Sequence, residues 1–162
     1  MAALSGSLGR PIVRRHGGPI PTDTLDVAAL ASVDVTSEHE LFPIDNVFDG
    51  RQGSGGSCWA ARQPGVQTVL LRFHAPTDLE RLTIESEECG GTCSQDIDVS
   101  GYSAHREKTF EAPRRVLNYS PYGPSFHRET WILSERGVTH VWIRIAPSPL
   151  GRFASLTSIT FR

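Results

Sequence analysis

The sequence has no apolar run approaching the roughly 18–20 residues that a membrane-spanning helix needs, and this excludes a helical span within it. It also has no strong charge of either sign, since 16 basic and 18 acidic residues leave a formal net charge of −2. No global positive field therefore exists to gather nucleic acid or an anionic membrane. Cysteine is scarce and odd in number, with Cys58, Cys89 and Cys93 only. Three thiols do not make a secreted disulfide framework and fit a reducing compartment better. Cys89 and Cys93, in ECGGTCSQ, lack the second Cys or His pair that would complete a zinc site. Three residues separate them, where a redox pair has two. They read as loop thiols, with a local disulfide or a reactive pair as the alternatives.

Catalytic spacings are missing too. His16, His39, His74, His105, His127 and His140 are scattered, with no H-x-H or H-E-x-x-H pair for a metal. No G-x-S-x-G elbow occurs; GGSCW at 55–59 lacks the last glycine. The acids at Glu85, Glu87 and Glu88 and at Asp96 and Asp98 could supply the two carboxylates of glycoside chemistry. Asp96 and Asp98, two apart on a strand, share a face that is more simply a solvated one. No enzyme is expected.

What is present is a chain of 162 residues, 38% hydrophobic and 21% charged. That length suits one domain able to bury roughly 70% of its unfolded surface. Arg10, Arg14 and Arg15 fall in the first 22 residues, which hold no acid and lack the apolar stretch of a secretory signal. Residues 1–24 are expected to form a loosely ordered basic arm ahead of a domain over 25–162. An organelle transit peptide is the alternative, although the Gly and Pro content opposes a helix there. A cytoplasmic location is the expectation from the same features.

From residue 67 onward alternation dominates. Val69, Leu71 and Phe73 face one way and Leu70, Arg72 and His74 the other. Leu82 and Ile84, then Ile97 and Val99, continue the pattern, and Val141, Ile143 and Ile145 give its clearest case against His140, Trp142 and Arg144. RRVLNYS and ETWILSE read as weaker strands, and SLTSITF turns Ile159 and Phe161 inward. Turn chemistry separates these runs at Ala75–Asp78, Gly90-Gly91, Pro121–Pro124, Arg136-Gly137 and Pro147–Pro149. Helical candidates are short, at residues 22–31 and around PIDNVFD. Such a pattern predicts an all-β, antiparallel sandwich or barrel.

One stretch, FPIDNVFDGRQGSGGSCW at 42–59, looks like chemistry. As a phosphate loop it has Gly56 where the lysine must stand. As an EF-hand it has Val47 and Gly56 at ligand positions. A dinucleotide fingerprint fails on spacing and on the absent βαβ unit. There remains a helical turn ending at Asp49-Gly50, a loop, and Trp59 opening a strand.

With Thr36-Ser37 and Pro43 before it, and the Val69–Phe73 and Leu82–Ile84 strands after it, this layout resembles the galactose-binding-like superfamily. That group includes the discoidin (coagulation factor type C) modules and related carbohydrate-binding modules. The last strand, GRFASLTSITFR, resembles their closing strand, so the likeness covers roughly residues 27–162. It implies an antiparallel β-sandwich of jelly-roll type. It also implies a calcium near the Asp-Gly turn, for which this chain offers Asp49 and Ser57. Arg51 and Ser158 stand where further acids are usual, so the competing reading is that Asp49 only turns the backbone. Sugar-binding members use loops at one end of the sandwich, here residues 38–41, 62–67, 90–95 and 147–153. Arg62, Gln63, Gln95, Arg152 and Phe153 are the contacts implied. Trp59 is expected in the core, and Trp142 on either face.

Two functions follow as expectations. The first is a non-catalytic module that binds carbohydrate through these loops. The second is an intracellular protein-interaction scaffold, a role the same fold fills in cytosolic complexes. No cofactor beyond that calcium is implied, and neither a nucleic-acid partner nor a membrane span is expected.

Overall fold

The computed structural model of the chain describes residues 9–14, 18–87, 94–119 and 125–162. Ten strands carry almost all of its regular structure. In chain order they are β1 (Arg10–Pro11), β2 (Ala31–Val35), β3 (Trp59–Ala60), β4 (Gln67–Glu87), β5 (Ser94–Ser103) and β6 (Lys108–Glu111). Then follow β7 (Arg115–Asn118), β8 (Phe126–Ser148), β9 (Ser155–Leu156) and β10 (Ser158–Phe161). The helical candidates shrink to α1 (Val27–Leu30), which Asp26 caps through Ala29 N–H, and a 3₁₀ turn at Ile44–Phe48. All strand pairing is antiparallel, and the architecture is a β-sandwich.

Two long strands join the layers. The first part of β4, Gln67–Arg72, pairs with His140–Ile145 of β8, while its second part, Leu79–Glu87, pairs with Phe126–Glu135. Register breaks between Arg72 and Arg81 separate the two parts. On one side of the corner β2 and β5 flank the pair; on the other, β10 lies against β4. Strands that pass between sheets through bulges make such corners. The turn signals at Ala75–Asp78 and Arg136-Gly137 therefore bend continuous strands instead of ending them. Pro76 falls in the stretch without ladder partners, so its missing N–H costs nothing. Gly137 has φ +61, and a Cβ there would stand 2.8 Å from His105 Cβ.

The inward rows are those that alternation predicts. Val69, Leu71, Ile84, Ile97, Val141, Ile143, Ile145 and Phe161 are fully buried. Phe73 and Phe161 meet edge to face across the corner, at 6.0 Å between ring centroids. Trp59 and Trp131 are core, and the Trp131 indole donates to Pro113 O at 2.7 Å. Trp142 lies on the opposite face, opposite Leu70 in register and stacked on His140 at 5.6 Å.

The basic arm is built into the fold from Gly9. Arg10 and Pro11 pair with Val33 and Ser32, and Ile12 enters the core. Its anchor is Arg10, whose guanidinium grips Asp45 at 3.0 and 2.8 Å and Glu38 at 3.1 and 3.0 Å. This corrects the expectation of a loose arm over that stretch; residues 1–8 and 15–17 lie outside the described residues.

Candidate functional site

Three loops at one end of the sandwich are stitched together by backbone bonds. At the base the Trp59 indole donates to Ser37 O at 3.1 Å, so a buried core residue fixes the start of the first loop. The Ser37 hydroxyl donates to Gln67 Oε1 at 2.8 Å and accepts from Arg62 N at 3.1 Å and Gln63 N at 3.2 Å. Gly65 N donates to Arg152 O at 3.0 Å, and Ala61 N to Ala154 O at 2.9 Å, which ties the second loop to the third. His39 N donates to Ala60 O and Ala60 N to Phe42 O, completing the row.

The side chains that leave this scaffold are of two kinds. Arg62 and Arg152 are exposed, and their guanidinium groups have no ion-pair or hydrogen-bond partner among the described residues. Around them the loops carry Leu41, Phe42, Val66, Leu150 and Phe153, five of the nine large hydrophobic side chains exposed among the described residues. Leu41 (72% exposed), Leu150 (101%) and Phe153 (48%) project furthest. Alternation could not have identified these apolar side chains, because they sit on loops; their concentration at one end is visible only in the fold.

Of the expected contacts, Arg62, Gln63, Arg152 and Phe153 are thus gathered on joined loops. Gln95 is not available. It is 1% exposed, and its Nε2 donates to Ser86 Oγ, Tyr119 Oη and Ser155 O while its Oε1 accepts from Ser155 N. Its amide oxygen and nitrogen are both bonded inside, so it is a buried strut behind the loops. Residues 88–93, with Cys89, Cys93 and Gly90-Gly91, lie outside the described residues, as does the turn at 120–124.

Asp49 and Ser57 are brought together, but they bond to each other, the hydroxyl donating to Asp49 Oδ2. Asp49 Oδ1 accepts from Arg51 N at 2.9 Å, and the Arg14 guanidinium stands 3.5 Å from Asp49 O. Gly50 turns the chain with φ +79. Calcium takes six to eight oxygens, carboxylates prominent among them. Here each carboxylate oxygen already accepts a bond, a cation stands alongside, and no group of three or more Cys, His, Asp or Glu residues gathers among the described residues. The residues do not fit calcium, and the expectation of a site at Asp49 and Ser57 is corrected on that ground. The glycine run after it is held by carboxylates instead: Gly53 N donates to Glu85 at 3.0 Å and Gly55 N to Glu87 at 2.8 Å.

Of the acids considered for glycoside chemistry, Glu88 lies outside the described residues and the other four are engaged in the same way. A bidentate bond from Arg114, with further help from Arg144, holds the Asp98 carboxyl below the usual carboxylate range against a smaller opposing effect of burial. Asp96 shares Arg114 at 3.8 Å. Glu85 is buried against Arg128, and Gly55 N–H and Ser54 lower the Glu87 carboxyl. A general acid for glycoside cleavage needs the opposite shift. No helix among the described residues is long and apolar enough to cross a membrane.

No protein-family model matches the sequence, and no curated protein sequence does either. Solved structures match the fold. The family 32 carbohydrate-binding module of NanJ from C. perfringens, in complex with galactose, has a TM-score of 0.62 at 12% identity, covering 85% of this chain and 96% of that one. CpGH89CBM32-5 from Clostridium perfringens, in complex with GalNAc-β-1,3-galactose, gives 0.59 at 16%, covering 85% and 98%. A fucose-binding module of Streptococcus pneumoniae gives 0.60 at 14%, covering 88% and 98%. The chain therefore shares the β-sandwich fold of these carbohydrate-binding modules.

Proposed function

We propose that this domain is a non-catalytic carbohydrate-binding module whose ligand meets the joined loops around Arg62 and Arg152. The observation that carries the reading is the pair of unengaged guanidinium groups flanked by exposed Phe42 and Phe153 on loops locked by backbone bonds. A guanidinium supplies hydrogen-bond donors to sugar hydroxyls, and an exposed aromatic face accepts the apolar face of a pyranose ring. Neighbours of the same fold include modules solved with galactose and with GalNAc-β-1,3-galactose, which supports a sugar as ligand.

A glycan array tests this directly, followed by calorimetry on any hit with Arg62→Ala, Arg152→Ala and Phe153→Ala. Binding by the native protein, weakened about tenfold by loss of either arginine, is the expected outcome. An array with no hit, or a hit indifferent to all three changes, refutes it. A second reading has its own support in Leu41, Val66 and Leu150, apolar side chains that a sugar site does not require and a protein partner buries. It predicts that Leu150→Glu abolishes co-purification of a partner while Arg62→Ala leaves it intact.

A further inference from the structure

We propose a second ligand site, distinct from the loops, that holds the sulfate or phosphate group of a small molecule on the outer face of the β10–β4–β8 layer. Register builds its floor. Thr160 pairs with Thr83, and Thr83 with Thr130, so three threonines lie in one row across three strands. Arg81 and Arg162 stand on one side of the row, and Arg128, two residues before Thr130, on the other. Thr24 and Gln52 contribute from flanking loops, enclosing a cavity of about 160 Å³. That is room for about five waters at ~30 Å³ each, suited to one oxyanion and part of its ester.

The Thr160 hydroxyl donates weakly to Thr83 O at 3.5 Å, and the other donors keep capacity toward this space. Arg81 has no side-chain partner among the described residues. Arg128 gives Nε and Nη2 to Glu85, leaving Nη1. Arg162 is tied only to Asp23, at 2.7 Å, in a pair about half exposed on both sides; such pairs contribute little and exchange readily. Thr83 and Thr130 hydroxyls share one bond at 3.1 Å, so one of their two hydrogens remains. Glu85, two residues from Thr83 on the same strand, is 1% exposed and paired with Arg128 and Gly53 N–H. Arginine offers donors only, and here they converge from opposite sides over a hydroxyl floor. A tetrahedral oxyanion presents acceptor oxygens in all these directions, and the guanidinium fork matches its geometry. The glycine loop thereby acquires a use: its bond to Glu85 sets Gln52 as one wall.

The test is a titration of the ¹⁵N-labelled protein at constant ionic strength with sodium sulfate, sodium phosphate, galactose 6-sulfate and galactose, with chloride as control. Saturable shifts at the Thr83, Thr130 and Thr160 amides with sulfate or phosphate, and none with chloride, are expected. Arg81→Ala and Thr130→Val weaken them about tenfold, while Arg62→Ala leaves them unchanged. Tighter binding of galactose 6-sulfate than of the free ions identifies a sulfate ester as the ligand, tighter phosphate a phosphate ester; either supports the site. Failure to saturate, an equal response to chloride, or indifference to both Arg81→Ala and Thr130→Val overturns it. Because Arg81 and Thr130 take no part in the joined loops, and Arg62 none in this row, loss of this site and loss of the loop-end site are read separately.

Discussion

Removing the Arg10 guanidinium should destabilise the whole domain, although the residue sits in a terminal strand of only two residues. Its partner explains why. The Asp45 side chain is 2% exposed, on the 3₁₀ turn that carries buried Ile44, Val47 and Phe48. Burial alone would raise the Asp45 carboxyl, but the bonds from Arg10 and from Val13 N–H outweigh it and hold the group below its ordinary 3.8. In Arg10→Ala the carboxylate keeps only backbone donors, Val13 N at 2.7 Å on the same arm and its own N–H. Stripping one partner from a buried pair costs ~3–5 kcal/mol. Arg10 itself is 39% exposed, so water entering its place screens Asp45 and brings the expectation down to about 2–3 kcal/mol.

Urea unfolding followed by fluorescence of the buried Trp59 and Trp131 measures this. The control is a double-mutant cycle with Asp45→Asn, which removes the charge that Arg10 compensates. The cost of Arg10→Ala should fall by ~1–2 kcal/mol in that background. The pH dependence has a fixed sign. A depressed carboxyl contributes stability that is fully present above its unfolded pKa and is lost as pH falls through the folded one. The gap between native and Arg10→Ala proteins should thus be flat from neutral pH down to about 5 and close below about 4. A cost under about 0.5 kcal/mol, or one unchanged by Asp45→Asn, would refute the clamp.

Two other perturbations probe the interior and the outer face. Gln95→Ala should cost about 2–4 kcal/mol in thermal or urea unfolding, because the Ser155 N–H loses its acceptor and the Tyr119–Ser86 pair loses the amide that bridges it to the loop; a change within about 0.5 kcal/mol would refute the strut. Burial first, and Arg72 second, lower the pKa of His140 from 6.5, so its neutral form is favoured by folding. Stability from this group is complete above about pH 6.5 and declines as pH falls through the lower folded value; the urea midpoint should drop more steeply between pH 7 and 5 in the native protein than in His140→Gln, and parallel curves would count against it.

Sequence gives the strands because period two writes burial directly: Val141, Ile143 and Ile145 need no tertiary information to be placed inward. The same rule also carries Gln95. Ile97 and Val99 face in, so Gln95 two residues earlier faces in as well, and the sandwich resemblance that placed it among loop contacts outweighed a better local signal. Pro76 and Gly137 misled for the reverse reason. Their local chemistry belongs to turns, and only the register across β4 and β8 shows that a bend in a continuous strand uses it equally well.

What stays illegible is what depends on which strands become neighbours. Arg10 and Asp45 are 35 residues apart, and no composition or spacing rule pairs an arm with a 3₁₀ turn. The three threonines each read as unremarkable outward residues, one step from Leu82, Trp131 and Ile159 or Phe161. Only when β10 and β8 both pair with β4 do Thr160, Thr83 and Thr130 fall into one row with arginines on either side. Alternation determines which face a residue takes; pairing determines whom it meets there. A binding surface on a sheet is a statement about the second, which is why the glycine loop, read alone for phosphate or metal, showed its part only as the wall beside that row.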